Sequence, residues 1–524
     1  MKKYWQIISV VILGILIRLY NLTSISLWHD EAFSALLIKY NWGEMMYRIG
    51  LDVHPPAYYI VLRLWHYVFS DALWSLRGMS VFFGILTIVA VYGLVKTSFK
   101  SEKAAILAAL FVALSPFQIQ YVTEARMYTM GAFFTVLAAY FLVKALQLQR
   151  FVFSDKQLNM PNLPEDITAH RLSVVYYLAF ALSTAVMIYA HYYLLFSAAF
   201  LCLYALIYHI KHYGFAFKKY GLLIISYVII AVSYAPWLKV FIFQYKQVGA
   251  GYWIPPMDRW SIPATLWQML LGIGVDVNNP TTQKMLVLAS LFTLFLIYKF
   301  LRKIDQFEKW LVMLGLVAPF MGAIMFYLLA QVKGSSSSVY LVRYFLYSSS
   351  FYSILLAVWL SQIRYKWLIN TLVIVYATVN VYTVWHYWSE LNVKTRPGMA
   401  KAAEYLQSSV EEKHKIYIGS SFEFFNYKYY NRTPVKPKLY SGGNSEVKNL
   451  PHFAGTAILT NQDLQPDFNS EVKNGDTVWL LWTNGFGGSK PEVPVNWTLL
   501  SEQVYPEVRP YLGSNIYVDM YKVN

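Results

Sequence analysis

Charge is scarce in this sequence. Asp, Glu, Lys and Arg make up 14% of 524 residues, 57% are hydrophobic, and the mean hydropathy is +0.39. A soluble globular chain of this length does not reach that balance, so most of it belongs in lipid. Acidic residues are scarcer than basic ones, 28 against 44, which leaves a net charge of +16. The basic excess falls in short loops between apolar runs rather than in one patch. It therefore reads as membrane topology with an affinity for anionic lipid headgroups, and not as a nucleic-acid surface. The one cysteine, Cys202, lies inside an apolar run. That excludes an intrachain disulfide and fits a small buried hydrophobe. No small-residue cleavage site follows MKKYWQ and the apolar run after it, so an uncleaved first span is expected. No internal repeat is visible, which speaks against an inverted-repeat transporter.

What is abundant is apolar runs of about 17 to 25 residues, the length that crosses a hydrocarbon core roughly 30 Å thick. Eleven are expected: Tyr4 to Tyr20, Leu73 to Val95, Ala104 to Phe117, Met127 to Leu146, Leu172 to Ala190, Tyr192 to Ile210, Gly221 to Leu238, Met285 to Phe300, Trp310 to Ala330, Tyr344 to Leu360 and Trp367 to Trp385. Cytoplasmic loops retain Lys and Arg. Lys2 and Lys3, Lys96 to Lys103, Lys211 to Lys219, Arg302 with Lys303, and Arg364 with Lys366 are accordingly assigned to the cytoplasm. The loops holding Trp28 to Asp52, Gln118 to Arg126, His191, Gln244 to Asn279 and Lys333 to Val342 then face out. His54 to Phe69 carries Arg63 and His66 and reaches only ~24 Å as a helix, so it is read as lying in the outer interface, as is Asp30 to Trp42. An odd number of spans places the tail outside.

That tail changes character. From His386 to Asn524 apolar runs shorten to strand length and Asn, Gly, Pro, Lys and Glu become frequent, which divides the chain into a membrane domain, 1–385, and a small α/β domain, 386–524. Met399 to Ser409 has helical spacing. Lys415 to Ile418, Thr456 to Leu459, Thr477 to Trp482 and Asn515 to Tyr521 read as strands. The tail shows no catalytic motif; Asn431 and Asn496 stand in glycosylation sequons, a pattern short enough to arise by chance.

The residues able to carry chemistry share the outer side. The first outer loop holds Trp28-His29-Asp30-Glu31 and, some twenty residues on, Asp52-Val53-His54-Pro55-Pro56. Carboxylates beside lipid cost several kcal/mol unless paired or wet, so the cluster is a functional candidate; N-capping by Asp30 is the structural alternative. The next loop places Glu124, Arg126 and Tyr128 at the start of a span, where i,i+2 spacing disfavours direct pairing of the two charges. Arg343 sits at the outer end of a later span, where snorkelling to the interface explains it as well as ligand binding does. Between them, Gly251-Tyr252-Trp253-Ile254-Pro255-Pro256 can dip into the interface.

Taken in order, these stretches resemble the GT-C superfamily of membrane glycosyltransferases, and within it the family 39 group related to protein mannosyltransferases and lipid A aminoarabinose transferases. His29-Asp30-Glu31-Ala32 is similar to the first-loop acidic motif, and Asp52-Val53-His54-Pro55-Pro56-Ala57-Tyr58-Tyr59 to the motif that follows it. Ser115-Pro116-Phe117 with Glu124-Ala125-Arg126-Met127-Tyr128 is similar to the second outer loop, and Trp253 to Pro256 and Arg343-Tyr344 fit later ones.

The resemblance implies an all-α polytopic domain of about eleven spans with two juxtamembrane helices in the first outer loop, in the plasma (inner) membrane. It also implies a polyprenyl-phosphate sugar donor and an acceptor outside the cytoplasm. On that reading Asp30 is the general base, Glu31 its neighbouring rival, and Arg343, with Arg126 second, supports the leaving phosphate. Glu31, Asp52, His54 and Glu124 orient the sugar or hold a divalent cation, and Tyr128 belongs to the same substrate-binding motif. A metal is left open, because related oligosaccharyltransferases use one and protein mannosyltransferases do not. The competing reading is a transporter or flippase of lipid-linked sugars; carboxylates in loops rather than inside spans, together with a large aqueous tail, favour an enzyme.

Overall fold

The computed structural model describes residues 4–153, 166–250, 254–272, 274, 276–332, 338–390, 398–485, 488–507 and 513–524. Gly251 to Trp253 and residues 333–337, which sequence assigns to outer loops, lie outside the described residues. The first helices are α1 (Trp5–Leu19), α2 (His29–Leu37), α3 (Trp42–Leu51), α4 (Ala57–Phe69), α5 (Leu73–Phe99), α6 (Glu102–Leu114), α7 (Pro116–Val122), α8 (Tyr128–Val152), α9 (Asp166–Ala190) and α10 (Leu194–Tyr213). There follow α11 (Gly221–Tyr234), α12 (Leu238–Ala250), α13 (Ser261–Leu270), α14 (Pro280–Lys303), α15 (Glu308–Val332), α16 (Leu346–Ser361), α17 (Lys366–Glu390), α18 (Met399–Ser409) and α19 (Ser421–Tyr430). The chain divides into two compact units, Met1–Tyr20 with His54–Tyr58 and Gly78–Trp385, and Asn21–Val53 with Tyr59–Arg77 and His386–Asn524. We call them the membrane unit and the loop–tail unit.

In the membrane unit, nine described helices are long and apolar enough to cross a membrane; the bent pair α6–α7 and the shorter α1 complete the eleven segments expected from sequence. The protein is a multi-pass membrane protein. α16 is its centre, buried nearly throughout although it carries Ser348, Ser349, Ser350 and Ser353. In a helix without water those hydroxyls need partners. Ser349 Oγ accepts from Gln118 Nε2 at 2.6 Å and donates to the Leu346 carbonyl at 2.7 Å, and Ser353 donates to the Ser349 carbonyl at 3.1 Å. Close approach to α16 uses glycine: a Cβ on Gly315 of α15 would lie 2.6 Å from the Phe351 ring.

The run expected to be one straight span from Ala104 to Phe117 bends by 54° after Leu114. Pro116 has no N–H to give the Val112 carbonyl, and Ser115 Oγ restarts the helix by accepting from Gln118 N at 3.4 Å. The carbonyls freed at the break are taken by Arg18 of α1, whose Nη2 donates to Val112 O at 2.9 Å and Nη1 to Ala113 O at 2.8 Å. Gly14 and Gly84 make room for that side chain, since a Cβ on either would approach the guanidinium within 3.6 Å and another side chain within 2.6 Å.

In the loop–tail unit, the first loop contains α2 and α4, where two juxtamembrane helices are expected, and a third, α3, started by Asn41 Oδ1 accepting from Glu44 N at 2.9 Å. α4 has 13 residues and so spans only ~20 Å, short of a hydrocarbon core. The tail is a six-stranded mixed sheet of β1 (Lys415–Ile418), β2 (Lys438–Tyr440), β3 (Leu464–Gln465), β4 (Thr477–Thr483), β5 (Trp497–Glu507) and β6 (Ser514–Val523), in the order β3-β2-β1-β4-β6-β5. β1 pairs in parallel with β2 and β4, and β6 runs antiparallel to β4 and β5. Alternation sorts β4: Val478 and Leu480 join Tyr417, Phe468, Trp497 and Tyr521 in one core, while Trp479 and Leu481 fall on the opposite face. Thr456 to Leu459, expected as a strand, is a turn: Gly455 adopts φ +81° and its carbonyl accepts from the N–H groups of both Ile458 and Leu459. Burial of Ala457, Ile458 and Leu459 accounts for the apolar content that resembles a strand.

Candidate active site

The sequence-derived candidates fall in both units. Asp30, Glu31 and Asp52 belong to the loop–tail unit; His54, Glu124, Arg126, Tyr128 and Arg343 belong to the membrane unit.

In the loop–tail unit, Trp28 is the N-cap of α2, so Asp30 and Glu31 stand in its first turn, where a carboxylate meets the positive end of the helix dipole. The capping carboxylate is Glu31 and not Asp30: Glu31 Oε2 accepts from Trp28 N at 3.4 Å. Glu31 is fully buried, whereas Asp30 is half-buried. Arg77, which the sequence reading passed over inside an apolar run, holds Glu31 and three carbonyls of the segment before α2: Nη1 donates to Leu22 O and Ile25 O at 2.9 Å, and Nη2 to Ser26 O at 3.1 Å. With two bonds to Glu31, all five guanidinium donors are used. His29 packs edge-on against Phe422 of α19, with ring centroids 5.2 Å apart. Asp52 ends α3, its N–H shared between the carbonyls of Arg48 and Ile49 at 3.2 Å, and its charge bears on His452.

In the membrane unit the break between α7 and α8 turns the chain so that Ser80 Oγ donates to the Glu124 carbonyl at 2.6 Å and Arg126 N donates to the same carbonyl at 2.9 Å. Arg126 Nη2 lies 3.4 Å from His54 Nε2. His54 in turn faces His191, ring centroids 5.9 Å apart, in the short link between α9 and α10. Around that imidazole stand Tyr344 at 4.6 Å, Tyr347 at 5.7 Å and Tyr128 at 6.1 Å, and the Arg343 guanidinium lies 5.8 Å from the Tyr128 ring. Burial first, and then the charges of His54, Arg126 and Arg343, push the His191 pKa well below its ordinary value. Two arginines from helix starts far apart in sequence therefore bear on one neutral imidazole. The structure thus brings His54, Arg126, Tyr128 and Arg343 together and adds His191, which the sequence flags only as a polar residue between two apolar runs. Glu124 is buried at the same chain break.

Two guanidinium groups beside aromatic rings suit a phosphate ester, because each offers planar paired donors and neither can lose its proton. Among the described residues no three His, Cys, Asp or Glu side chains converge in an arrangement able to hold a metal ion.

Residues 53–154 match the model of the dolichyl-phosphate-mannose-protein mannosyltransferase family. No curated protein matches the sequence. Among solved structures, the chain is similar to ArnT from Cupriavidus metallidurans bound to undecaprenyl phosphate, with a TM-score of 0.57 and 14% identity over 98% of each chain. This is a GT-C fold. The same ArnT without ligand superposes equally well, with a TM-score of 0.57 and 14% identity over 92% of this chain and 93% of that one. Within the GT-C fold, the family match takes in His54, Glu124, Arg126 and Tyr128 and leaves Asp30, Glu31, Asp52 and Arg343 outside it.

Proposed function

We propose that this chain is a membrane glycosyltransferase that moves a sugar from a polyprenyl-phosphate donor to a hydroxyl acceptor on the extracytoplasmic side of the plasma membrane. The observation that supports it most is the meeting of Arg126 and Arg343 around His191 within a GT-C fold. In the reaction, Asp30 takes the proton of the acceptor hydroxyl as its oxygen attacks the anomeric carbon. The bond from that carbon to the phosphate oxygen breaks, and the electron pair leaves with the phosphate. One displacement inverts the configuration. The departing anion is stabilised by Arg343 and Arg126, while His191, kept neutral, adds a hydrogen bond without adding charge. Asp52, His54, Glu124 and Tyr128 orient the sugar. The loop-charge pattern supports the side: all these residues fall in loops poor in Lys and Arg relative to the opposite set.

The test is transfer by the purified full-length protein in lipid nanodiscs, supplied with a polyprenyl-phosphate sugar and a hydroxyl acceptor. Transfer with inversion that falls about 10²- to 10⁴-fold in Asp30→Asn is expected, the range that a positioned general base contributes. Movement of the donor across the bilayer with its sugar–phosphate bond intact would make the chain a flippase instead.

A further inference from the structure

The membrane unit has a second polar concavity, at the ends of α8, α9 and α10 remote from Tyr128 and His191. It occupies about 880 Å³ between the last turns of α8 and α10, the residues after α5, and the link from α14 to α15. Arg150 lines it 22 residues along α8 from Tyr128, roughly 33 Å away at 1.5 Å per residue, so it is separate from the candidate active site.

Its charge is unbalanced. Lys100, Lys144, Arg150 and Lys211 line it against two carboxylates, Asp305 and Glu308. Among the described residues none of those four cations forms an ion pair, and Glu308 instead accepts from Gln147 Nε2 at 3.3 Å. The charge of Arg150 bears on the Tyr208 hydroxyl, and Lys211 Nζ stands 4.7 Å from the centre of the Phe307 ring. Loop topology and the helix dipole account for cations at these helix ends. Neither accounts for a hollow of ligand size between them with aromatic walls. One wall also runs out into lipid: Leu172 lines the hollow and is exposed, as are Val175, Leu178 and Leu182 along the same face of α9.

We propose that this pocket binds a phosphate ester, with Lys100, Lys144, Arg150 and Lys211 around the phosphate, and that the ester is the headgroup of an anionic phospholipid entering along α9. Basic pockets between transmembrane helices recognise such headgroups. By the loop-charge assignment the pocket faces the cytoplasmic leaflet, opposite the side proposed for sugar transfer, and it does not depend on that activity.

The full-length protein is extracted from membranes of equal parts phosphatidylcholine and phosphatidylglycerol, and lipids retained through purification are counted by native mass spectrometry. Selective retention of phosphatidylglycerol is expected, weakened about fivefold for each cation removed in Lys144→Gln and Arg150→Gln, which corresponds to ~1 kcal/mol apiece. Lys211→Gln, on a different helix, serves if the first pair fails to fold and should give the same single-site loss. Inorganic phosphate in detergent is the second arm. Thermal stabilisation by phosphate alone, with no preference among lipids, would make the ligand a free phosphate. Equal retention of both lipids with no response to phosphate, or unchanged retention in the variants, would overturn the site.

Discussion

Arg77 and Glu31 form a buried bidentate ion pair, with Nε to Oε1 and Nη2 to Oε2 both at 2.8 Å and at most 1% of either side chain exposed. The same guanidinium also closes off the carbonyls of Leu22, Ile25 and Ser26, so one residue ties the segment leading into α2 at three points as well as to Glu31. Asp30 rides on the first turn of the helix so held. Breaking a buried pair from one side strands the other charge, and Arg77→Ala should cost about 3–5 kcal/mol. Glu31→Gln should lower the melting temperature along with activity, whereas Asp30→Asn should cut transfer about 10²- to 10⁴-fold with little change in melting. A Glu31→Gln protein that melts like the wild type and is inactive would return Glu31 to the chemistry.

Arg18 and Pro116 make a coupled test of the bend. Arg18→Leu leaves the carbonyls of Val112 and Ala113 without donors inside the membrane unit, at about 1–3 kcal/mol for each group left unpaired. Pro116→Ala restores an N–H that can reach Val112 O by continuing the helix, so in the Arg18→Leu background it should recover part of the lost stability. In the wild type the same Pro116→Ala should be destabilising, since it favours a straight helix where α7 now turns. Additive effects of the two substitutions, read by thermal unfolding in detergent, would separate Arg18 from the bend.

What the sequence made legible follows from where charge stands out. Asp30, Glu31, Arg126 and Arg343 are conspicuous because each interrupts or borders an apolar run, and carboxylates are few. Arg18 and Arg77 are as charged but read as span residues, because the partners of Arg18 are main-chain carbonyls, which leave no mark in a sequence, and Arg77 meets Glu31 and three further carbonyls only once the chain has folded back over some fifty residues. His191 is one polar residue between two spans until the fold brings Arg126 and Arg343 to it. In the tail, β4 is plain as an apolar run of strand length, and β6 alternates in burial. β2 and β3 have three and two residues and carry no period, and β5 is an edge strand exposed along most of its length. Thr456 to Leu459 has strand composition, yet the left-handed Gly455 turns it back on itself.

Glu423 gives the loop–tail unit a pH dependence of predictable sign. Burial first, then the charge of Glu507 and a hydrogen bond to it, hold the Glu423 carboxyl well above the ordinary carboxylate range. Glu507 Oε2 is meanwhile occupied by the hydroxyls of Ser514 at 2.7 Å and Thr483 at 3.0 Å. The folded unit thus keeps a proton that the unfolded chain releases above the usual carboxylate value. Stability is greatest below that value and declines as pH rises toward the raised one. Glu423→Gln, which mimics the protonated form, should flatten the decline in a pH series of thermal melts. A wild-type profile that rises through the same range would contradict the shared proton.

Arg343 carries the final prediction, because its position has two explanations that one substitution separates. If Arg343 merely snorkels, lysine reaches the interface equally well, and Arg343→Lys should leave donor binding and turnover unchanged. If it holds the donor phosphate, lysine supplies a point charge where paired planar donors are needed, and the loss should appear in both KM and kcat, since the leaving phosphate gains charge in the transition state. His191 supplies a second readout. Its pKa is held down in part by Arg126 and Arg343, so Arg343→Gln should let it rise toward the ordinary histidine value while Arg343→Lys should not. Depression of that pKa means stability is full above the ordinary histidine value and falls as pH drops below it; the Gln variant should shrink this acid-side loss. An imidazole titration that moves in Arg343→Gln but with donor affinity intact in both variants would place Arg343 beside His191 and away from the phosphate, leaving Arg126 as the residue that supports the leaving group.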